Sequence, residues 1–155
     1  MENMARRTLL SSGVLSFGLL TMKDLRAQGG GVWLVTSQEA ALPRSSTSKA
    51  GRSITRGPAI RQISPLNAVA PNRPFALHVE FAGRGGEKID PATAQITILR
   101  GDNINITQRV RAFISPKGIE IPDAMVGGPG THVLQVAVSD AGGHQSIANI
   151  EIEAR

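Results

Sequence analysis

The chain has no cysteine and no tyrosine, and its 155 residues include one tryptophan, four phenylalanines and three histidines. Without cysteine there are no disulfides, no thiol nucleophile, no cysteine-ligated zinc or iron–sulfur centre, and no lipidated cysteine of the bacterial lipoprotein kind. Scarce aromatics leave little with which to stack bases or sugars. The histidines, His78, His132 and His144, are scattered, with no His-x-His or His-Glu-x-x-His spacing for zinc or copper. A long apolar run is also missing. The best stretch without charge is residues 8–22, shorter than the roughly 20 apolar residues that cross a bilayer as a helix, so no stable transmembrane anchor is expected.

What is there begins with Arg6-Arg7 directly before that uncharged, Leu-rich stretch, the order of a secretion signal. The paired arginines, the modest hydrophobicity of the run, and Lys23 and Arg26 near its end resemble a twin-arginine leader. A small residue at Ala27 predicts processing near Ala27 or Gln28. The expected product is periplasmic or secreted.

Net charge is +5, but the surplus is local. Arg44, Lys49, Arg52, Arg56 and Arg61 fall in one stretch without an acidic residue, whereas acids slightly outnumber bases from Gln62 onward. The basic stretch has the attraction for anionic membranes or polymers that any cationic segment has. It lacks interleaved aromatics, so no specific nucleic-acid partner is expected. Residues 44–57 are polar and rich in small side chains, which reads as a linker.

The chain thus divides into a signal peptide (1–28), a short apolar segment (29–43), the basic linker (44–57) and a main domain (58–155). In the apolar segment, Val32, Trp33, Leu34 and Val35 form a strand candidate, and Thr36-Ser37-Gln38-Glu39 has capping-box spacing for a brief helix through Leu42, stopped by Pro43. These four residues are the candidate partner-binding site, with Trp33 as a rigid aromatic anchor. The competing expectation is that Trp33 folds back on its own domain.

From Pro58 the pattern is one of short period-2 segments bounded by Gly, Pro, Asn and Asp, the signature of antiparallel sheet. Phe75, Leu77, Val79 and Phe81 share one strand face. His132, Leu134, Val136 and Val138 share another, and Ala148, Ile150 and Ile152 line a last strand that pairs with it as a hairpin across Asp140-Ala141-Gly142-Gly143. Further strands are expected at 59–63, 94–99, 104–106 and 119–121, with turns at Asp90-Pro91 and Ser115-Pro116-Lys117-Gly118 and one helical turn at 107–110. About seven short strands favour an all-β fold, an antiparallel β-sandwich with Greek-key connections. The run Pro129-Gly130-Thr131-His132-Val133-Leu134-Gln135-Val136-Ala137-Val138-Ser139-Asp140 resembles the penultimate strand and closing hairpin of the bacterial immunoglobulin-like and fibronectin-like domains found in exported proteins. The chain departs from that family in having no core tryptophan, no cysteine pair, and His132 where many members place a tyrosine. The resemblance implies an immunoglobulin-like sandwich over 58–152.

Chemistry is thin in this sequence. His132 is expected to be a partly buried cap on the sheet, and His78 and His144 surface residues. Asp90, Asp102, Asp123 and Asp140 are expected in loops as turn formers; they lack the Asp-x-Asp runs of a calcium site. Asn105-Ile106-Thr107 has the form of a glycosylation acceptor. Gly83-Arg84-Gly85-Gly86 lacks the Lys-Ser/Thr of a phosphate loop. No catalytic, cofactor or metal residues are assigned. The reading is a non-catalytic, exported module with an envelope protein as partner, engaged through Val32–Val35 or an exposed strand edge. The alternatives are an accessory subunit of a twin-arginine-exported periplasmic complex and a carbohydrate or cell-wall binding domain.

Overall fold

The computed structural model describes residues 30–46 and 56–155. The expected leader (1–28) and most of the expected linker lie outside the described residues.

Strand β3 (Phe75–Ala82) shows why a sheet forms. Its side chains alternate, with Leu77, Val79 and Phe81 buried and Glu80 exposed, and an alternation of period 2 can hide its apolar set only on one face of a pleated sheet. It lies between β2 (Ala59–Ser64) and β7 (Gly118–Val126), antiparallel to both. On the far side of β7 two short strands share the edge: β6 (Ile114–Ser115) covers its start and β1 (Val32–Val35) its end. The first sheet therefore reads β1-β7-β3-β2 with β6 beside β7.

The second sheet reads β5-β4-β8-β9, from β4 (Ile89–Ile98), β5 (Ile104–Asn105), β8 (Gly130–Asp140) and β9 (Gln145–Ala154). The two apolar faces meet in one core that includes Phe81, Ile98, Ile121, Leu134, Ile150 and Ile152. Between the sheets the packing leaves a void of only about 10 Å³, too small for more than a single water. The interior is a packed core and not a ligand cavity. The chain is an all-β sandwich, as its alternation predicts.

Two local results differ from the sequence reading. Asp90-Pro91 does not end a turn but sits inside β4, where the pairing with β8 slips between Asp90 and Gln95. Pro91 has no N–H to give to a ladder. Side chains fill the gap: Asp90 Oδ1 accepts from the Ala92 N–H at 2.9 Å, and Thr93 Oγ1 accepts from the Ser139 N–H at 2.9 Å. The strand predicted at 119–121 runs on through Val126, because β1 and β3 give its second half partners on both sides. β1, one of whose two expected fates was to fold back on the domain, joins the sandwich by pairing in parallel with β7, Val32 opposite Ala124.

The tight β6–β7 turn needs its glycine. Gly118 has φ of 148°, and a Cβ there would fall 1.9 Å from the Val79 carbonyl oxygen of β3, so any side chain would push the neighbouring strand away.

Candidate functional site

The candidate residues Val32, Trp33, Leu34 and Val35 are split by the sheet. Leu34 is 1% exposed and Val35 fully buried, both in the core, while Val32 and Trp33 are half-buried. Leu34 and Val35 are therefore structural, which corrects the expectation of a four-residue docking surface; of the two expectations for Trp33, folding back is what the structure shows. After β1, Thr36 caps helix α1 (Ser37–Ala41) through a complete capping box: its Oγ1 accepts from the Glu39 N–H at 3.3 Å, and Glu39 Oε2 accepts from the Thr36 N–H at 2.8 Å. The spacing had announced this cap.

The outer edge of β1 is closed by Arg109 of helix α2 (Thr107–Val110). Its Nη1 donates to the carbonyls of Trp33 and Leu34 at 3.2 Å each, and its two Nη groups form a fork with the Glu39 carboxylate at 3.1 and 2.9 Å. The guanidinium holds the Glu39 carboxyl well below its ordinary range, from 4.5 to about 2, by hydrogen bonding first, against the opposing effect of burial. Sequence reasoning missed Arg109, since nothing in a chain of this composition says which of its arginines crosses 70 residues to a glutamate.

A second arginine holds the far end of α1. Arg100 Nη1 donates to the carbonyls of Ala40 and Leu42 at 2.8 Å each, and its Nη2 to the Thr131 carbonyl at 3.2 Å. Arg44, read as the start of a linker, pairs backbone to backbone with Arg100. Beside them His132 is fully buried, its Nε2 donating to the Gly128 carbonyl at 3.1 Å. Burial above all lowers its pKa; the Gly128 contact opposes this, and Arg100 and Arg44 add to the lowering. It is a neutral core residue.

The remaining polar candidates do not converge. His78 lies on β3 and His144 at the β8–β9 turn. Asp102 occupies a turn as expected, but Asp90 and Asp123 lie within strands β4 and β7 and not in loops. Asp140, at the end of β8, is buried and not an open loop carboxylate. Its Oδ1 accepts from the backbone N–H of His144 at 2.9 Å and both oxygens lie 3.2 Å from His144 Nδ1. Those contacts, the backbone N–H foremost, lower its pKa. This is turn chemistry: it fixes the closing hairpin. Asn105 Oδ1 likewise accepts from the Thr107 N–H at 3.0 Å. Among the described residues no three His, Asp or Glu side chains gather as a metal site, and no helix is long and apolar enough to cross a membrane.

Exposed apolar surface collects elsewhere, along the margin where β2 and β9 face each other. Leu66 is 78% exposed, Ile147 48% and Ile63 41%. Two open clefts mark this margin. One, of about 360 Å³, lies between Pro65, Leu66 and the Glu151 and Glu153 side of β9; the other, of about 270 Å³, between Ala59, Ile60, Ile147 and Ala148. The lower part of the β9 edge is already occupied: Gln62 Nε2 donates to the Glu151 carbonyl at 3.0 Å, and Val69 exchanges backbone bonds with Glu153 and Arg155. Toward Gln145 no strand of its own sheet pairs with the edge, although Gly57 packs closely against Gln145 and Ser146.

Fold and margins define an all-β sandwich with one margin clamped by Arg109 and another that carries exposed apolar side chains. No protein-family model matches the chain, and no curated protein matches it. A search of solved structures finds a likeness to CopC from Methylosinus trichosporium OB3b, with 20% identity and a TM-score of 0.37 over 57% of this chain and 81% of that one. A likeness at that level carries no function to this chain.

Proposed function

We propose that the chain is a non-catalytic, exported β-sandwich module that binds another protein, and that an extended segment of that partner adds to the upper edge of β9. The observation that carries this reading is the contrast between the two margins. Arg109 and α2 close the β1 edge, whereas the β2–β9 margin leaves Ile63, Leu66 and Ile147 in solvent beside β9, the outer strand of its sheet. Free strand edges template pairing with another chain, and alternate side chains entering flanking clefts supply selectivity in such complexes. The histidines lie on separate elements, His78 on β3, His132 on β8 and His144 in the β8–β9 turn, which supports the non-catalytic part. Phe81 is buried, and Phe75 and Phe113 pack on the core, so a sugar-stacking surface finds no support in these side chains.

The test is cross-linked capture from the native envelope with the full chain and the Ile147→Asp variant. Ile147 is on the surface, so the variant is expected to melt within about 2 °C of the wild type while capture falls at least about tenfold. Equal capture by both proteins refutes docking at this edge.

A further inference from the structure

Arg44 and Arg100 face each other across an isolated antiparallel bridge, closed by the Ser45 N–H to the Leu99 carbonyl at 3.2 Å and the Gly101 N–H to the Pro43 carbonyl at 2.9 Å. Residues directly opposite in such a pair project to the same side, with Cβ atoms about 5 Å apart. Both guanidiniums reach for one acceptor: Arg44 Nη2 donates to the Thr131 carbonyl at 3.4 Å and Arg100 Nη2 to the same oxygen at 3.2 Å. Two cations are thus held side by side on the body of the sandwich.

Among the described residues no ion pair joins either arginine to a carboxylate. Arg109–Glu39, His144–Asp140 and Arg155–Glu153 are ion pairs of the described residues, and none involves Arg44 or Arg100. Arg100 is only 8% exposed, and its Nε makes no hydrogen bond. Near enough to feel both arginines lies the buried His132, whose Nδ1 also makes no hydrogen bond. Like charges opposite one another destabilise a strand pair, and a buried guanidinium is ordinarily matched by a carboxylate. Here three neutral carbonyls hold it instead. Desolvation first, and Arg44 second, make Arg100 give up its proton more readily than an ordinary arginine. Arg44, by contrast, is exposed.

We propose that Arg44 and Arg100 form a receptor for an oxyanion group, a carboxylate or a phosphate. The anion bridges the exposed guanidinium of Arg44 and the second Nη2 hydrogen of Arg100, and supplies the negative charge that the pair lacks. Paired guanidiniums match the geometry of such groups better than ammonium groups do. Thr131, whose carbonyl both arginines share, also lines the cleft beside Leu66 and Glu153, but the groups that meet the anion are the two guanidiniums, and the proposal does not depend on docking at the β2–β9 margin.

The experiment is calorimetric melting of the full chain in sodium chloride, sodium acetate and sodium phosphate at equal ionic strength, for wild type, Arg44→Gln and Arg44→Glu. Arg44 is exposed, so both variants are expected to fold. Acetate or phosphate at about 50 mM should raise the wild-type Tm by about 3 °C over chloride through binding linkage, and whichever anion does so identifies the source. Arg44→Gln should lose that rise. Arg44→Glu, which builds the counter-charge into the chain, should melt above wild type in chloride and gain nothing from either anion. The proposal is overturned if the wild-type melts coincide in all three salts. It is equally overturned if Arg44→Gln rises as much as wild type, since that marks general salt exclusion, or if Arg44→Glu melts below wild type.

Discussion

Replacing Arg109 with methionine should loosen β1 by an amount that depends on pH. The side chain makes two kinds of contact, a forked ion pair with Glu39 and two donations to the Trp33 and Leu34 carbonyls. Taken whole, the fall of the Glu39 pKa from 4.5 to about 2 corresponds to about 3.4 kcal/mol at roughly 1.36 per unit. The pair is partly open to water, with Arg109 35% and Glu39 15% exposed, and screening reduces its share to about 1 kcal/mol. The two carbonyls lose a charged donor and regain water at the strand edge, a further cost of about 1 kcal/mol. Arg109→Met is therefore expected to lose about 2 kcal/mol at pH 7, or about 8 °C in Tm for a domain of this size. A carboxylate whose folded pKa is depressed contributes fully above its unfolded value and loses that contribution as pH falls through the folded one. The gap between wild type and variant should then be full above pH 4.5 and shrink to about 1 kcal/mol, the carbonyl part, as pH falls toward 2. Urea melts followed by the fluorescence of Trp33, the single tryptophan and part of the clamped strand, measure this directly. A gap below about 0.5 kcal/mol at pH 7, or one that does not change with pH, refutes the clamp as described.

Two further perturbations follow from burial. His132 has a lowered pKa in the fold, so the unfolded chain binds a proton that the folded one refuses; stability should be full above about pH 6.5 and fall below it by up to about 1.4 kcal/mol per pH unit until the folded His132 titrates. His132→Phe should flatten that slope in melts between pH 8 and 5, and equal slopes in both proteins would remove His132 from the account. Leu34→Ala should cost about 3 kcal/mol in urea unfolding, because Leu34 is 1% exposed and its loss opens a core cavity; a cost below about 1 kcal/mol would mean that β1 is an appendage after all.

The readable parts of the fold were those set by local pattern. Alternation marked β3, β8 and β9 and their inward faces, because a two-residue period leaves only one way to hide Leu77 and Val79 or Leu134 and Val136. The capping box at Thr36–Glu39 and the helical turn at Thr107–Val110 were equally local. Pro91 misled: it looks like a turn, yet Asp90 and Thr93 supply the bonds that let β4 run past it. Asp140 misled in burial alone, since its role in the turn was foreseen. Of the site, the sequence offered Val32–Val35 as a unit and gave no warning that two of the four belong to the core.

By itself the sequence determined an all-β sandwich with little material for catalysis, since composition and period-2 alternation act locally and need no knowledge of partners. Tertiary structure alone decided that β1 pairs with β7, that Arg109 seals one edge, that Ile63, Leu66 and Ile147 stay exposed along the β2–β9 margin, and that Arg44 and Arg100 face each other. Each of these brings together residues dozens of positions apart. Which arginine meets a glutamate and which meets another arginine depends on the order and register of strands, and a charge count summed along the chain contains neither.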